Sequence, residues 1–406
     1  MGKRLAYTAM FFLFLGFSEP AWALLSAEEE LGRKLYFDTI LSVLRNQSCS
    51  TCHDPAAGFA DSRRTPVSQG SIPGKFGERN APSSAYAAFA PFFHWDSTLG
   101  LYVGGQFWDG RANTLADQAG GPPLNPMEMA MAGKMDIISL LAVNRAYVML
   151  FAKAYKFDLF RAVVTLPGVD AAFALMTKAI AAFEKTTGFN SFNSKFDYYL
   201  QGKVTLTAAE LNGLNIFNGV GKCSGCHVST PGTAPDGVSQ IPPLFTDYTY
   251  DNLGLPRNMN IPAYRMNPDN VDKGLGGRPE IAANDPMGLQ VGKFKVATLR
   301  NIALTAPYGH NGVFKTLAQI VHFYNTRDVL GAVCTDNNDA GFGTICWPTP
   351  EVMMNVNNRE LGNLSLTSAQ EADLVAFLNT LTDNYVDPAT GLPPATLPPV
   401  ILPPMP

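Results

Sequence analysis

Residues 49–53 read Cys-Ser-Thr-Cys-His, and residues 223–227 read Cys-Ser-Gly-Cys-His. Two cysteines at this spacing could hold zinc, run thiol–disulfide exchange or carry haem. Zinc needs further Cys or His ligands at short spacing, and neither motif has them nearby. A thioredoxin-like site does not require the histidine and would not usually occur twice. Two thiols followed at once by His form the c-type haem attachment signature. The thiols become thioethers on the haem vinyls, and the adjacent imidazole is held where a ring nitrogen can bind iron. The sequence is therefore read as carrying two covalent haems, on Cys49 and Cys52 and on Cys223 and Cys226, with His53 and His227 as proximal ligands. Of the six cysteines, Cys334 and Cys346 remain, and they either close a surface loop as a disulfide or stay as thiols.

Each motif follows a similar helix start. Ser26 with Glu29, and Thr207 with Glu210, fit the pattern in which a hydroxyl caps the first turn and a carboxylate three residues on caps in return. This weak internal duplication, the apparent helices and the scarcity of strand alternation predict a mostly α fold of two cytochrome-c-like domains with long irregular loops, at 24–204 and 205–386. The boundary follows the helical stretch Ala171 to Phe183 and the Gly202-Lys203 break. Residues 229–293, rich in Pro, Gly, Asn and Asp, read as loops, and the Pro-rich segment 387–406 reads as an extended tail. Residues 1–23 combine Lys3 and Arg4, an apolar run from Ala6 to Phe17 and Ala21-Trp22-Ala23, the pattern of a cleaved export signal. The apolar run is too short to span a bilayer, and no transmembrane helix is expected. With 406 residues, 46% hydrophobic and 16% charged, the chain can build two cores. Its formal charge of −4, which becomes −5 once Lys3, Arg4 and Glu19 leave with the leader, makes nucleic acid an unsuitable partner.

The sixth iron ligands decide the class. Two fully ligated haems make an electron carrier, whereas an open iron beside a proton-handling group makes a peroxidase. Only His94, His310 and His322 remain as histidine candidates, and spacing does not choose among them. The stretches LSAEEELGRKLYFD, CSTCHDP, ERNAPS, GGQFWDGRANTLADQAGGPPLNPMEM, AAFEKT, SKFDYYL, KVATLRNIALTAPYGHNG and LAQIVHFYNTRD, however, resemble the bacterial di-haem cytochrome c peroxidase and MauG family over nearly the whole chain after the leader. The resemblance implies two cytochrome-c-like domains with haems facing a shared interface, and a periplasmic enzyme whose substrate is hydrogen peroxide.

The resemblance also implies roles. Gln118, Pro122 and Glu128 correspond to residues over the open face of the first haem, where one carboxylate can take a proton from one peroxide oxygen and return it to the other. Trp108 corresponds to the tryptophan between the family's haems, a relay for electrons. Gln69 stands where peroxidases that need reductive activation carry a blocking His, so the first haem is expected to be open at rest. Tyr324 stands where the peroxidase branch has a Met ligand to the second haem, as in MauG, and His322, two residues away, points elsewhere on a helix. An anionic phenolate favours ferric and higher iron states, which suits storage of two oxidising equivalents over both haems. Those equivalents would go to a tryptophan or tyrosine of a partner protein, as in MauG or an MbnH-like member from methanobactin gene clusters. A cytochrome c peroxidase fed by a small cytochrome or cupredoxin is the alternative. The tryptophan that MauG uses as an exit corresponds here to Gly221, so any exit route differs. Asn80, with Thr305 and Pro307, matches a family calcium site whose oxygen ligands suit a hard cation. His310 is expected to be a structural partner near the second haem and His94 a packed loop residue, with Met127, Met129 and Met131 around the haem pocket.

Overall fold

The helix Ala27–Phe37 (α1) starts at Ser26, whose hydroxyl accepts from the Glu29 N–H while the Glu29 carboxylate accepts from the Ser26 N–H. The helix Ala208–Asn218 (α4) repeats this reciprocal cap with Thr207 and Glu210. The duplication goes further than the caps. Six residues past each cap is a glycine, Gly32 or Gly213, where a Cβ would overlap a backbone carbonyl of the partner helix, that of Ala179 or of Asp373. Only a residue without a side chain allows these close crossings. Gly32 lets α1 cross Leu166–Glu184 (α2), and Gly213 lets α4 cross Ser368–Asn379 (α6).

The computed structural model describes residues 24–234, 237–267 and 269–394; the expected leader, 1–23, and residues 395–406 lie outside them. Among these residues the fold is mostly α, and its strands form four two-stranded ladders. Two hydrophobic clusters organise the chain. The first gathers Leu31, Leu35, Phe151, Met176, Ile180 and Phe183, and the second Phe196, Phe217, Phe314, Phe323, Phe377 and Leu378. The chain exchanges segments between them. Phe196, on the helix Lys195–Leu200 (α3), packs in the second cluster, while Ala234 and Ile241 pack in the first. By length and composition α2 could cross a membrane, yet half of its most apolar window is buried inside the protein. The helix Leu317–Thr326 (α5) packs on α6.

Arg300 joins these parts. Its guanidinium donates to both Asp197 oxygens at 2.8 Å and to the Pro243 carbonyl at 2.7 Å, and it lies over the rings of Tyr86 and Phe192. Both ionic side chains are 1% exposed, so truncating one leaves the other charge uncompensated. We expect Asp197→Ala to destabilise the protein by about 3–5 kcal/mol, measured as a lower urea midpoint. A midpoint equal to wild type would show that Arg300 finds another anion.

Cys334 and Cys346 form a disulfide, which settles the choice left open by spacing. The start of the Pro-rich segment is not extended: Asp387 accepts from the N–H groups of Ala389 and Gly391 and donates its own to Leu392 O, a turn completed by Gly391 at φ 68°. His94 is also not packed. It is exposed on the short strand His94–Asp96 (β1), with Nδ1 bonded to Phe92 O.

Two candidate haem sites joined by a tryptophan

His53 lies at the end of the one-turn helix Cys49–Cys52, and its Nδ1 is 3.2 Å from the carbonyl of Phe59. His227 repeats the contact at 2.8 Å with Phe245. Both phenylalanines have positive φ, 61° and 53°, which turns their carbonyls toward the rings. A carbonyl only accepts, so Nδ1 carries the proton and Nε2 keeps its lone pair. Burial lowers both imidazole pKa values and keeps the rings neutral, the form that binds a metal.

The four motif cysteines are unbridged. Burial pushes Cys49, Cys223 and Cys226 up to about 12 and raises Cys52. Redox cysteines have depressed values instead, so these thiols do not suit disulfide exchange. Each pair lines a cavity together with its histidine. The first cavity is about 540 Å³ and the second about 140 Å³. Cations on the walls, Arg79 and Arg111 in the first and Lys295 in the second, suit haem carboxylates. Lys295 is half-buried, and desolvation pushes its ammonium down to about 8. The donor set fits a covalently held haem in each cavity, and the first cavity also offers the larger space.

Gln118, Pro122 and Glu128 line the first cavity with His53, as do Met127, Met129 and Gln69. The Glu128 loop is fixed by Asn125, whose amide donates to Glu128 Oε1 at 2.7 Å and whose backbone carbonyl accepts from Glu128 N and Ala130 N. Gly70 lies against the carbonyl of Met127, where a Cβ would overlap it. Burial raises the Glu128 pKa, opposed by the Asn125 hydrogen bond and by Arg111. Asn125 and Arg111 were missed as individual site residues, although Asn125 sits in the quoted PLNPMEM. So was Glu184 of AAFEKT, which lines the same cavity, is pushed up to about 8 by burial and has an unpartnered Oε2.

Trp108 lines both cavities, and its indole N–H donates to Asn80 O at 2.9 Å. Tyr324 lines the second cavity with His227, and burial, then the nearby thiols, raise its pKa. His322, on the same helix, bonds instead to the Glu371 carboxylate at 2.9 Å and is not among the cavity walls. His310 does line that cavity, stacked at 3.5 Å on Phe294 with its Nε2 unpartnered. Gly221 lines it too, and a Cβ there would come within 2.7 Å of Ile216 O. Asn80 Nδ2 donates to Pro66 O, and its N–H donates to His310 O, three residues beyond Pro307. Thr305 packs near Gly58.

Two cavities, each with a thiol pair and a neutral imidazole and both lined by one indole, suit a protein that carries two covalent haems. Residues 26–205 match the family model described as di-haem cytochrome c peroxidase. The chain is 39% identical over 383 residues to the methylamine utilization protein MauG of Paracoccus denitrificans, covering 92% of this chain and 93% of that one. It is 34% identical to the cytochrome c peroxidase Ccp of Escherichia coli, over 71% of this chain and 50% of that protein. Among solved structures, the diheme peroxidase BthA of Burkholderia thailandensis superposes with a TM-score of 0.72 at 31% identity, over 88% of this chain and 86% of that one. A MauG-like protein associated with microbial copper homeostasis gives 0.63 at 29%, over 92% and 96%. The chain belongs to the di-haem cytochrome c peroxidase and MauG family, and is a peroxidase-type oxidoreductase.

Proposed function

We propose that this enzyme is a MauG-like oxidase that spends the two oxidising equivalents of hydrogen peroxide on a tryptophan or tyrosine of a partner protein. The observation that carries the reading is the division of labour on α5, where Tyr324 lines the second cavity together with His227 while His322 is held by Glu371. Likeness to MauG along 92% of the chain supports it. When bound, the haems supply iron redox chemistry, and Tyr324 as a phenolate ligand biases the second toward oxidised states in a way that a neutral thioether does not.

Glu128 accepts the proton from one peroxide oxygen and returns it to the other, which leaves as water. Gln118 orients the peroxide by hydrogen bonding, and Pro122 keeps that wall apolar. Trp108 offers a ring between the cavities through which electrons pass. Each half, 24–204 and 205–386, is read as one haem domain, the leader as an export signal to the periplasm, and Asn80 with the carbonyls of Thr305 and Pro307 as a calcium site between them.

A donor assay tests the reading. We expect reduced small cytochromes or cupredoxins to be poor reductants of the peroxide-treated enzyme. Sustained rapid turnover with such a donor would make it a cytochrome c peroxidase, the alternative that the likeness to Escherichia coli Ccp keeps in view.

A further inference from the structure

Outside the second cavity runs a chain of aromatic rings that no role above uses. Its inner end is Tyr250, on the strand Tyr250–Asp251 (β3), which pairs with Phe294–Lys295 (β4). Lys295 and Asp251 both line the cavity, and the Lys295 N–H donates to Trp108 O at 2.8 Å. Tyr250 is buried, with its phenol against Gly110, two residues beyond Trp108. From there the rings continue outward: Tyr250 to Phe93 at 5.9 Å, Phe93 stacked on Tyr102 at 5.1 Å, and Tyr102 to Trp95 at 4.9 Å. Trp95 and Tyr102 face each other across the hairpin of β1 and Leu101–Val103 (β2). Trp95 is 50% exposed, whereas Trp347 is buried and Trp108 is partly buried.

We propose that this ring chain is the exit for oxidising equivalents and that Trp95 is the surface residue that takes electrons from the partner protein. The proposal rests on the reading in the preceding subsection. Charge favours an outward drift of the electron hole. Near the inner rings, the Arg278 guanidinium lies 4.1 Å over Phe93, although it also pairs with Glu280, and a cation there disfavours a positive hole. At the outer end, Asp96 follows Trp95 directly and is kept ionised by the N–H groups of Thr98 and Leu99. Tyr250 keeps its proton against Gly104 O at 2.5 Å, so it and Phe93 act as a bridge, while Tyr102 and Trp95 hold the hole in turn.

The electrons balance. One hydrogen peroxide takes up two electrons and two protons to give two waters. Both electrons come from the partner, one at a time: its indole or phenol passes an electron to the oxidised Trp95 ring and its N–H or O–H proton to water, and Trp95 returns to its resting form. Phe92, at 68% exposure, and Leu99, at 57%, surround the exit with apolar surface on the same hairpin. The fitting partner is a protein that presents its oxidisable ring in an apolar surround.

The test treats the holoenzyme with one equivalent of hydrogen peroxide in the presence of a nitroso spin trap and locates adducts by peptide mass spectrometry. An adduct on Trp95 is expected, falling to the untreated level in Trp95→Phe and in Glu128→Gln and reduced in Tyr102→Phe, which keeps the ring packing. No Trp95 adduct despite a peroxide-dependent change in haem absorbance would overturn the route alone. An adduct undiminished in Glu128→Gln while that variant's haem absorbance no longer responds to peroxide would also overturn it, because peroxide would then be attacking Trp95 directly. No absorbance change in wild type would overturn the underlying reading together with the route.

Discussion

Glu128→Gln is expected to slow the reaction with hydrogen peroxide by about 10²–10⁴-fold, the range for removing a positioned general acid–base group. Glutamine keeps the length of the side chain and can still meet the Asn125 amide, which approaches Oε1 at 2.7 Å. What disappears is the capacity to take a proton and give it back. Both haems should stay attached, because Glu128 is neither a thioether cysteine nor an imidazole ligand. Stopped-flow absorbance after peroxide addition measures the effect, and wild-type kinetics would remove Glu128 from the mechanism. The same carboxyl sets a pH limit. Burial raises its pKa, so the ionised form that accepts the proton is lost, as pH falls, at a higher pH than for an ordinary glutamate. The rate should therefore decline on the acid side, and this limb should be absent in Glu128→Gln.

Tyr324→Met should have the second large effect. Exchanging a phenolate for a thioether removes a negative charge from the iron, and axial ligands move haem potentials over a span of about 0.8 V. We expect the second haem's potential to rise by on the order of 0.1 V or more and the two-equivalent oxidised state to decay faster. Redox titration followed by single-equivalent peroxide mixing gives both values. An unchanged potential would mean that Tyr324 is not the ligand. His322 could replace it only by leaving Glu371, which also accepts from Asn325 at 2.5 Å.

The reciprocal caps at Ser26 and Thr207 were legible because a capping pair lies within four residues and depends on local chemistry. The haem cysteines and histidines were legible for the same reason. The opposed directions of His322 and Tyr324 followed from helical geometry, but the residue that holds His322 did not: Glu371 is 49 positions away, on another helix. Distance along the chain also hid the Arg300–Asp197 pair, separated by 103 residues. Gly32 and Gly213 look like ordinary helix interruptions in sequence, and their role in close helix crossing requires the partner helix. The Trp95 ring chain was illegible because it joins residues near 95 to Tyr250. His94 was misread because loop composition does not reveal the hairpin that exposes it.

The account depends on a first haem open to peroxide without activation and a second haem capped by Tyr324. That expectation rests on Gln69, on the wall of the first cavity, and Tyr324, on the wall of the second. The EPR spectrum of the purified, fully oxidised protein tests it directly. One high-spin and one low-spin ferric haem is the expected result; two low-spin haems would mean that both irons are capped at rest, which contradicts it.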